Sequence, residues 1–202
     1  MLYQIKGVID EIFDIDNVSE IFSRRAFILT AQNSPGRIEY LKFELHQKRC
    51  SYLDDGFKNG DKVIVWFQIQ GNKWVKNNDM AKFYNTFKVW RIEKDYNKED
   101  QEPPLYQIKG SLDDINSIIN VSDIFCKRDF IVITQICPER FEYLKFELHQ
   151  KRCKDLDLFA KGDKVIVWFQ LQGNKWIKNN ENKYYNSFRV WKIEKDESLQ
   201  ST

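Results

Sequence analysis

Hydrophobic and polar residues alternate with period two along most of this chain. Leu41, Phe43 and Leu45 alternate with Lys42, Glu44 and His46, and Val63, Val65, Phe67 and Ile69 with Ile64, Trp66, Gln68 and Gln70. That period is the mark of a strand with one face in a core and one in water. It predicts strands over residues 2–15, 24–32, 38–47, 62–70 and 84–94. Ile9, Phe27 and Leu29 point inward, Val8 and Ala26 outward. Trp66 falls on the outward face of its strand. Gly7 interrupts the first strand and predicts a bend there, so one long strand can serve two sheets. Residues 34–36 and 59–61 read as turns, and 48–56 as a short helix or turn. Residues 71–82 read as a polar, basic loop around Trp74. In the last strand Phe87 and Val89 compete with Trp90 and Ile92, which predicts a bulge or burial of both faces.

The pattern then repeats. Tyr40–Cys50, YLKFELHQKRC, recurs unchanged as Tyr143–Cys153. Residues 2–94 align with 105–195, with about 60 identities among roughly 91 aligned positions, which is an internal duplication. The expected organisation is a first copy over 1–94, an acidic, proline-ended linker over 95–104, a second copy over 105–195 and a polar tail over 196–202. Linker and tail are expected to be extended and loosely ordered. Five short strands per copy, a bent first strand and a helix or turn after the third indicate an all-β fold. The expectation is two tandem five-stranded OB-fold-like Greek-key barrels, with an SH3-like barrel reading similarly.

The net charge of +2 hides its distribution. The first copy carries +3 and the second +4, while the linker carries −3 and the tail −2. Each copy is mildly basic, which permits a polyanionic partner without requiring one. Of four cysteines, only Cys50 and Cys153 occupy equivalent positions; Cys126 and Cys137 stand where the first copy has Ser23 and Ser34. Free thiols in a reducing compartment are the simpler expectation. The opening residues lack a basic segment followed by an apolar run, and no apolar run has the length of a membrane span. The expectation is a cytoplasmic protein without a membrane partner.

The residues that carry chemistry are cations interleaved with aromatics. Single-stranded nucleic acid is held by aromatic platforms under bases and by Lys or Arg along the backbone. The candidate nucleic-acid-binding set is Arg24, Arg25, Lys42, Trp66, Lys73, Trp74 and Lys76 in the first copy. Its counterparts are Lys127, Arg128, Lys145, Trp168, Lys175, Trp176 and Lys178. The competing reading is that these tryptophans cap the barrel ends or pack between the copies. His46 with Cys50, and His149 with Cys153, supply two metal ligands per copy, short of a tetrahedral site, so no metal is expected. A Cys–His pair on one strand-to-turn segment has no orienting third group. Phosphate-loop, dinucleotide and zinc-protease motifs are absent, so no cofactor and no enzymatic activity are expected.

Four runs carry a family resemblance: Arg25-x-Phe27-Ile28-Leu29, Leu41–Leu45, Gly60-Asp61-Lys62-Val63-x-Val65-x-Phe67 and Val89–Glu93, after an opening Tyr3-x-Ile5-Lys6-Gly7. The second copy matches through Arg128-x-Phe130, Leu144–Leu148, Gly162–Phe169 and Val190–Glu194. Together they resemble the domain of unknown function family 3127, a small OB-like domain of Bacteroidetes and their phages. Two departures stand out: the domain is doubled, and the segment before the last strand is longer. The resemblance implies an OB-like barrel and, through that shape, single-stranded DNA binding. The expected function is low-specificity binding of single-stranded DNA or RNA by a monomer with pseudo-dimeric domain pairing or by a homo-oligomer. The alternative is a protein–protein interaction or scaffold module, a phage or replication accessory, that does not bind nucleic acid.

Overall fold

The computed structural model describes residues 1–34, 37–75, 81–97, 104–137 and 140–199, with the side chains of 33, 34, 136, 137 and 199 left out. In the first repeat, β1 (Tyr3–Ser19), β2 (Phe22–Ser34), β3 (Arg37–His46), β4 (Lys62–Trp74) and β5 (Lys82–Lys94) close into a barrel in the order β1-β2-β3-β5-β4. A 3-10 helix, Gln47–Leu53, follows β3. β3 and β5 meet in parallel at Phe43–Phe87, and the β1–β2, β1–β4 and β2–β3 pairings are antiparallel. The second repeat runs β6 (Tyr106–Ile115), β7 (Ile119–Ser122), β8 (Phe125–Cys137), β9 (Arg140–His149), the 3-10 helix Gln150–Leu158, β10 (Lys164–Lys178) and β11 (Glu181–Lys195). Here β6 and β7 share the place of β1, and β6 pairs with both β10 and β8 to close the ring. This strand order is that of the OB-fold, not of an SH3-like barrel.

The first strand serves two neighbours, as the mid-strand glycine predicts. Tyr3–Val8 pair with β4, and Val8–Ser19 with β2. Gly7 sits at the handover, where a Cβ would lie 2.4 Å from the Thr30 carbonyl oxygen. Any side chain there would push the two strands apart. Gly110 holds the same place in the second repeat, 2.4 Å from the Ile133 carbonyl oxygen by the same construction.

Inward positions match the alternation. Val63, Val65, Phe67, Phe27, Leu29, Leu41, Phe43 and Leu45 are fully buried, and Ile9 is buried beside them. Phe27, Phe43, Phe67 and Phe87 form a ring cluster with centroids 5.1–5.5 Å apart. Phe130, Phe146, Phe169 and Phe188 repeat it at 4.9–5.5 Å. Each such side chain contributes about 1.5–3 kcal/mol through burial, and each ring pair about 0.5–1.5 kcal/mol more.

The segment read as a loop over 71–82 is corrected by the structure. β4 runs through Gly71 to Trp74, and β5 begins at Lys82; residues 76–80 lie outside the described set. In the second repeat the matching strands β10 and β11 are joined by Asn179 and Asn180 alone, both in the left-handed conformation (φ 52° and 62°). That is a two-residue hairpin turn, for which asparagine is suited. In the second repeat the polar segment is therefore a β-hairpin arm.

The compact units of the molecule are discontinuous in sequence. One comprises residues 1–69, 86–104 and 172–186; the other comprises 70–85, 105–171 and 187–202. Each unit thus contains the barrel of one repeat and the arm of the other. In the first unit the arm meets the edge of β3. Asn186 donates through its side-chain amide to the Lys42 carbonyl (2.7 Å) and accepts from the Lys42 N–H (3.0 Å). The Gly173 N–H donates to the buried Glu39 carboxylate at 2.9 Å. In the second unit Asn85 makes the same pair of bonds to Lys145 (2.7 and 3.1 Å), and the Gly71 N–H donates to Glu142 at 2.7 Å. The backbones come close: a Cβ on Gly173 would lie 2.1 Å from the Tyr40 carbonyl oxygen, and one on Gly71 2.3 Å from that of Tyr143.

Candidate nucleic-acid interface

The period-two pattern slips once in β5. Val89 and Ile92 are both buried, so Trp90 and Arg91 between them both face outward. A bulge of this kind sets two consecutive side chains on one surface. The Arg91 guanidinium lies over the half-buried Trp66 of β4, 5.1 Å from the ring centroid. Trp90 is 52% exposed and carries the Arg49 guanidinium, from the 3-10 helix, at 4.2 Å. The outer face of the first barrel therefore presents two tryptophans, each beside an arginine.

The second unit builds the same surface with one cation changed, Lys192 in place of Arg91. Lys192 lies 4.7 Å from the Trp168 ring, and Arg152 lies 5.4 Å from Trp191, which is 42% exposed. Arg189 approaches Trp191 at 5.8 Å, and the Trp191 indole N–H donates to Gln170 at 2.8 Å. Arg–Trp and Lys–Trp contacts of this kind are attractive by about 0.5–1 kcal/mol where exposed. Trp90 and Trp191 stay exposed to a further flat partner, while Arg91 pairs with Glu93 and Lys192 with Glu194 (2.5 Å for the latter), ion pairs that a phosphate would have to displace.

The other sequence candidates divide into three groups. Arg25 is committed to the fold: it donates to the Phe13 carbonyl (2.8 Å) and the Cys50 carbonyl (3.3 Å) and pairs with Asp54 (2.5 Å). Arg128 does the same with Asn116 (2.8 Å), Cys153 (3.1 Å) and Asp157 (2.6 Å). These arginines fasten β1 and β6–β7 to the 3-10 helices.

The second group, Arg24, Lys42, Lys127 and Lys145, stands among carboxylates. Arg24 pairs with Asp16 at 2.9 Å. Lys42 lines a cavity of about 170 Å³ with Phe13, Asp14, Asp16, Arg24, Ala26 and Glu44. Three acids there face two cations, which disfavours a phosphate. Hydrogen bonding from His46, then the charges of Lys42 and Arg24, hold the Glu44 carboxyl below its ordinary range despite burial. In the second unit Asp129 stands in place of Ala26; it pairs with Lys145 (2.7 Å) and Lys127 (3.6 Å), and Lys127 also reaches Glu147 (3.3 Å). Burial works to raise the Glu147 pKa, but His149, Lys127 and Lys145 outweigh it and hold the carboxyl low.

The third group lies on the arms. Lys73 sits against Phe83 (5.8 Å) and Tyr143 (5.3 Å), and Lys175 against Tyr40 (5.2 Å) and Tyr184 (5.5 Å), 3.8 Å from Asp10. Trp74 and Trp176 are about half exposed, and Ile177 and Lys178 extend beyond Trp176 into solvent. Lys76 lies outside the described residues. His46 and His149 face Glu44 and Glu147 at 3.5 Å, while Cys50 and Cys153 donate to the Leu45 and Leu148 carbonyls. Among the described residues no group of three or more His, Cys, Asp or Glu is placed to hold a metal.

Sequence reading missed Trp90, Trp191, Arg49, Arg152, Arg91 and Lys192. The competing alternation in the last strand was the signal for Trp90, since a bulge there exposes one of two residues that both look buried. The pairing with the 3-10 helix arginines has no local signal, because it joins residues about 40 apart.

The sequence pattern described as "Domain of unknown function (DUF3127)" matches residues 4–93 and 107–194. The chain belongs to this family. It carries two copies of the DUF3127 domain in tandem. No curated protein matches it at a significant level. Among solved structures, the wild-type single-stranded DNA binding protein from Thermus aquaticus is 12% identical, with a TM-score of 0.65 over 96% of this chain and 91% of that one. A deletion mutant of the Thermus aquaticus protein gives 13% and 0.66 over 96% and 93%. At such identity the likeness concerns the fold: both DUF3127 copies are OB-like barrels.

Proposed function

We propose that this chain binds single-stranded DNA, with low sequence preference, through the outer faces of β4–β5 and β10–β11. The observation that carries this reading is the recurrence of tryptophan–cation pairs at equivalent places in both units: Trp66–Arg91 and Trp90–Arg49, Trp168–Lys192 and Trp191–Arg152. Bases stack on indole faces whatever their identity, and the neighbouring cations meet the phosphates. Arg49 and Arg152 are the same residue type in both repeats, while Lys192 replaces Arg91, so the aromatic–cation chemistry is kept. The fold shared with a single-stranded DNA binding protein agrees with this reading. Two units on one chain make the second contact intramolecular, which raises affinity without further chemistry.

Fluorescence anisotropy of a labelled oligo-dT strand across a salt series tests the proposal. With one phosphate neutralised by each of Arg49, Arg91, Arg152 and Lys192, the log–log salt slope is expected near −3, at about 0.7 per phosphate. A flat salt dependence, or no binding at low salt and high micromolar protein, removes the proposal in favour of a protein-binding module.

A further inference from the structure

Cys126 is the second residue of β8, and Cys153 lies in the 3-10 helix that follows β9, both in the second unit. Their sulfurs are 4.0 Å apart. The first unit provides an internal comparison, because there the same approach is made by Ser23 Oγ and Cys50 Sγ, also at 4.0 Å. Two thiols therefore meet where the other repeat has a hydroxyl and a thiol. We infer that Cys126 and Cys153 are a redox modification site, closed to an intrachain disulfide by a small-molecule disulfide such as oxidised glutathione.

Bonding requires the sulfurs to close from 4.0 Å to about 2.05 Å, a shift of about 2 Å at the ends of two short side chains. Access sets the order of events. Cys126 is half-buried, whereas Cys153 is buried. The Cys126 thiolate attacks one sulfur of the oxidant, and a first small thiolate leaves. The Cys153 thiolate then attacks the Cys126 sulfur of this mixed disulfide, and the second small thiolate leaves. The two protons lost by the cysteines end on the two thiols released, so one small disulfide is reduced as one protein disulfide forms. Burial, and then the neighbouring Cys126, push the Cys153 thiol up to about 11. This keeps it protonated and inert until Cys126 has been captured. The bridge fastens to β8 the 3-10 segment that bears Arg152.

The test is oxidation of the folded full-length chain with oxidised glutathione, read by intact mass, thiol titration and peptide mapping. The intact mass should fall by two hydrogens, two of the four cysteines should stop titrating, and the map should contain one Cys126–Cys153 cross-linked peptide. Cys126→Ser, which restores the first repeat's residue, should keep its remaining thiols free of any intrachain bridge. Ser23→Cys should gain a second bridge, to Cys50, and lose four hydrogens on oxidation. A glutathione adduct that persists on Cys126, a bridge through Cys137, or four thiols that remain titratable would each overturn the inference. So would a Ser23→Cys chain that folds but closes only one bridge.

Discussion

The side-chain amide of Asn186 pairs with both backbone groups of Lys42, donating to its carbonyl at 2.7 Å and accepting from its N–H at 3.0 Å. One amide thus does for the β3 edge what a neighbouring strand would do. Asn85 does the same for Lys145. Removing the amide leaves a half-buried donor and acceptor unsatisfied, at about 1 kcal/mol or more each. Asn186→Ala is expected to lower the urea midpoint and raise amide exchange at Lys42, and Asn85→Ala to do so at Lys145. Asn186→Asp, which keeps an acceptor but loses the donor, should not restore the parent stability. Unchanged exchange at Lys42 in Asn186→Ala would mean that the arm is held by other contacts.

Arg25 and Arg128 separate folding from binding. Each ties a carbonyl of β1 (Phe13) or of the β6–β7 link (Asn116) to a 3-10 helix, through a carbonyl in that helix (Cys50 or Cys153) and an acid at its C-terminal end (Asp54 or Asp157). Bonds from a charged donor contribute about 1.5–3 kcal/mol. Arg25→Ala and Arg128→Ala are therefore expected to lose stability in urea titration by amounts of that order. Their oligonucleotide affinity, measured where the variants stay folded, should remain within about twofold of the parent, as no phosphate contact is removed. A variant of full stability and weakened binding would return these arginines to the interface.

Glu147 gives a pH signature. Its carboxyl titrates below the ordinary range in the folded chain. A lowered folded pKa means that the ionised form supports the fold above the unfolded carboxylate range. That support fades as pH falls through the folded value. Glu147→Gln should be less stable than the parent at about pH 7, and the gap should narrow toward about pH 3 in urea titrations. A gap that is constant with pH would show that the side chain acts through packing alone.

How much of this was legible in sequence depends on what each residue answers to. Val63, Val65 and Phe67 answer to the barrel interior, and their alternation places them correctly. Gly7 answers to the approach of β1 and β2, so a strand handover was readable from one residue. Trp66 was placed on the outward face, and it lies half-buried there. Trp90 answers to a bulge, which breaks the period that sequence reading relies on. Gly71 fell in the segment read as a loop, yet it and its counterpart Gly173 each lie where an arm meets another repeat's strand. Asn186 and Lys42 are 144 residues apart, and no local pattern announces their pairing. Arg25 looked like a free cation because its three oxygen partners come from carbonyls and an acid distant in sequence.

The sharpest measurement is oligo-dT anisotropy on the double variant Trp90→Ala, Trp191→Ala. Both side chains are about half exposed, 52% and 42%, so thermal stability should change little. Base stacking is worth roughly 1–3 kcal/mol per aromatic, so loss of both should weaken binding by at least about tenfold at low salt. A double variant that melts like the parent and binds oligo-dT equally well would contradict the assignment of these faces to single-stranded DNA.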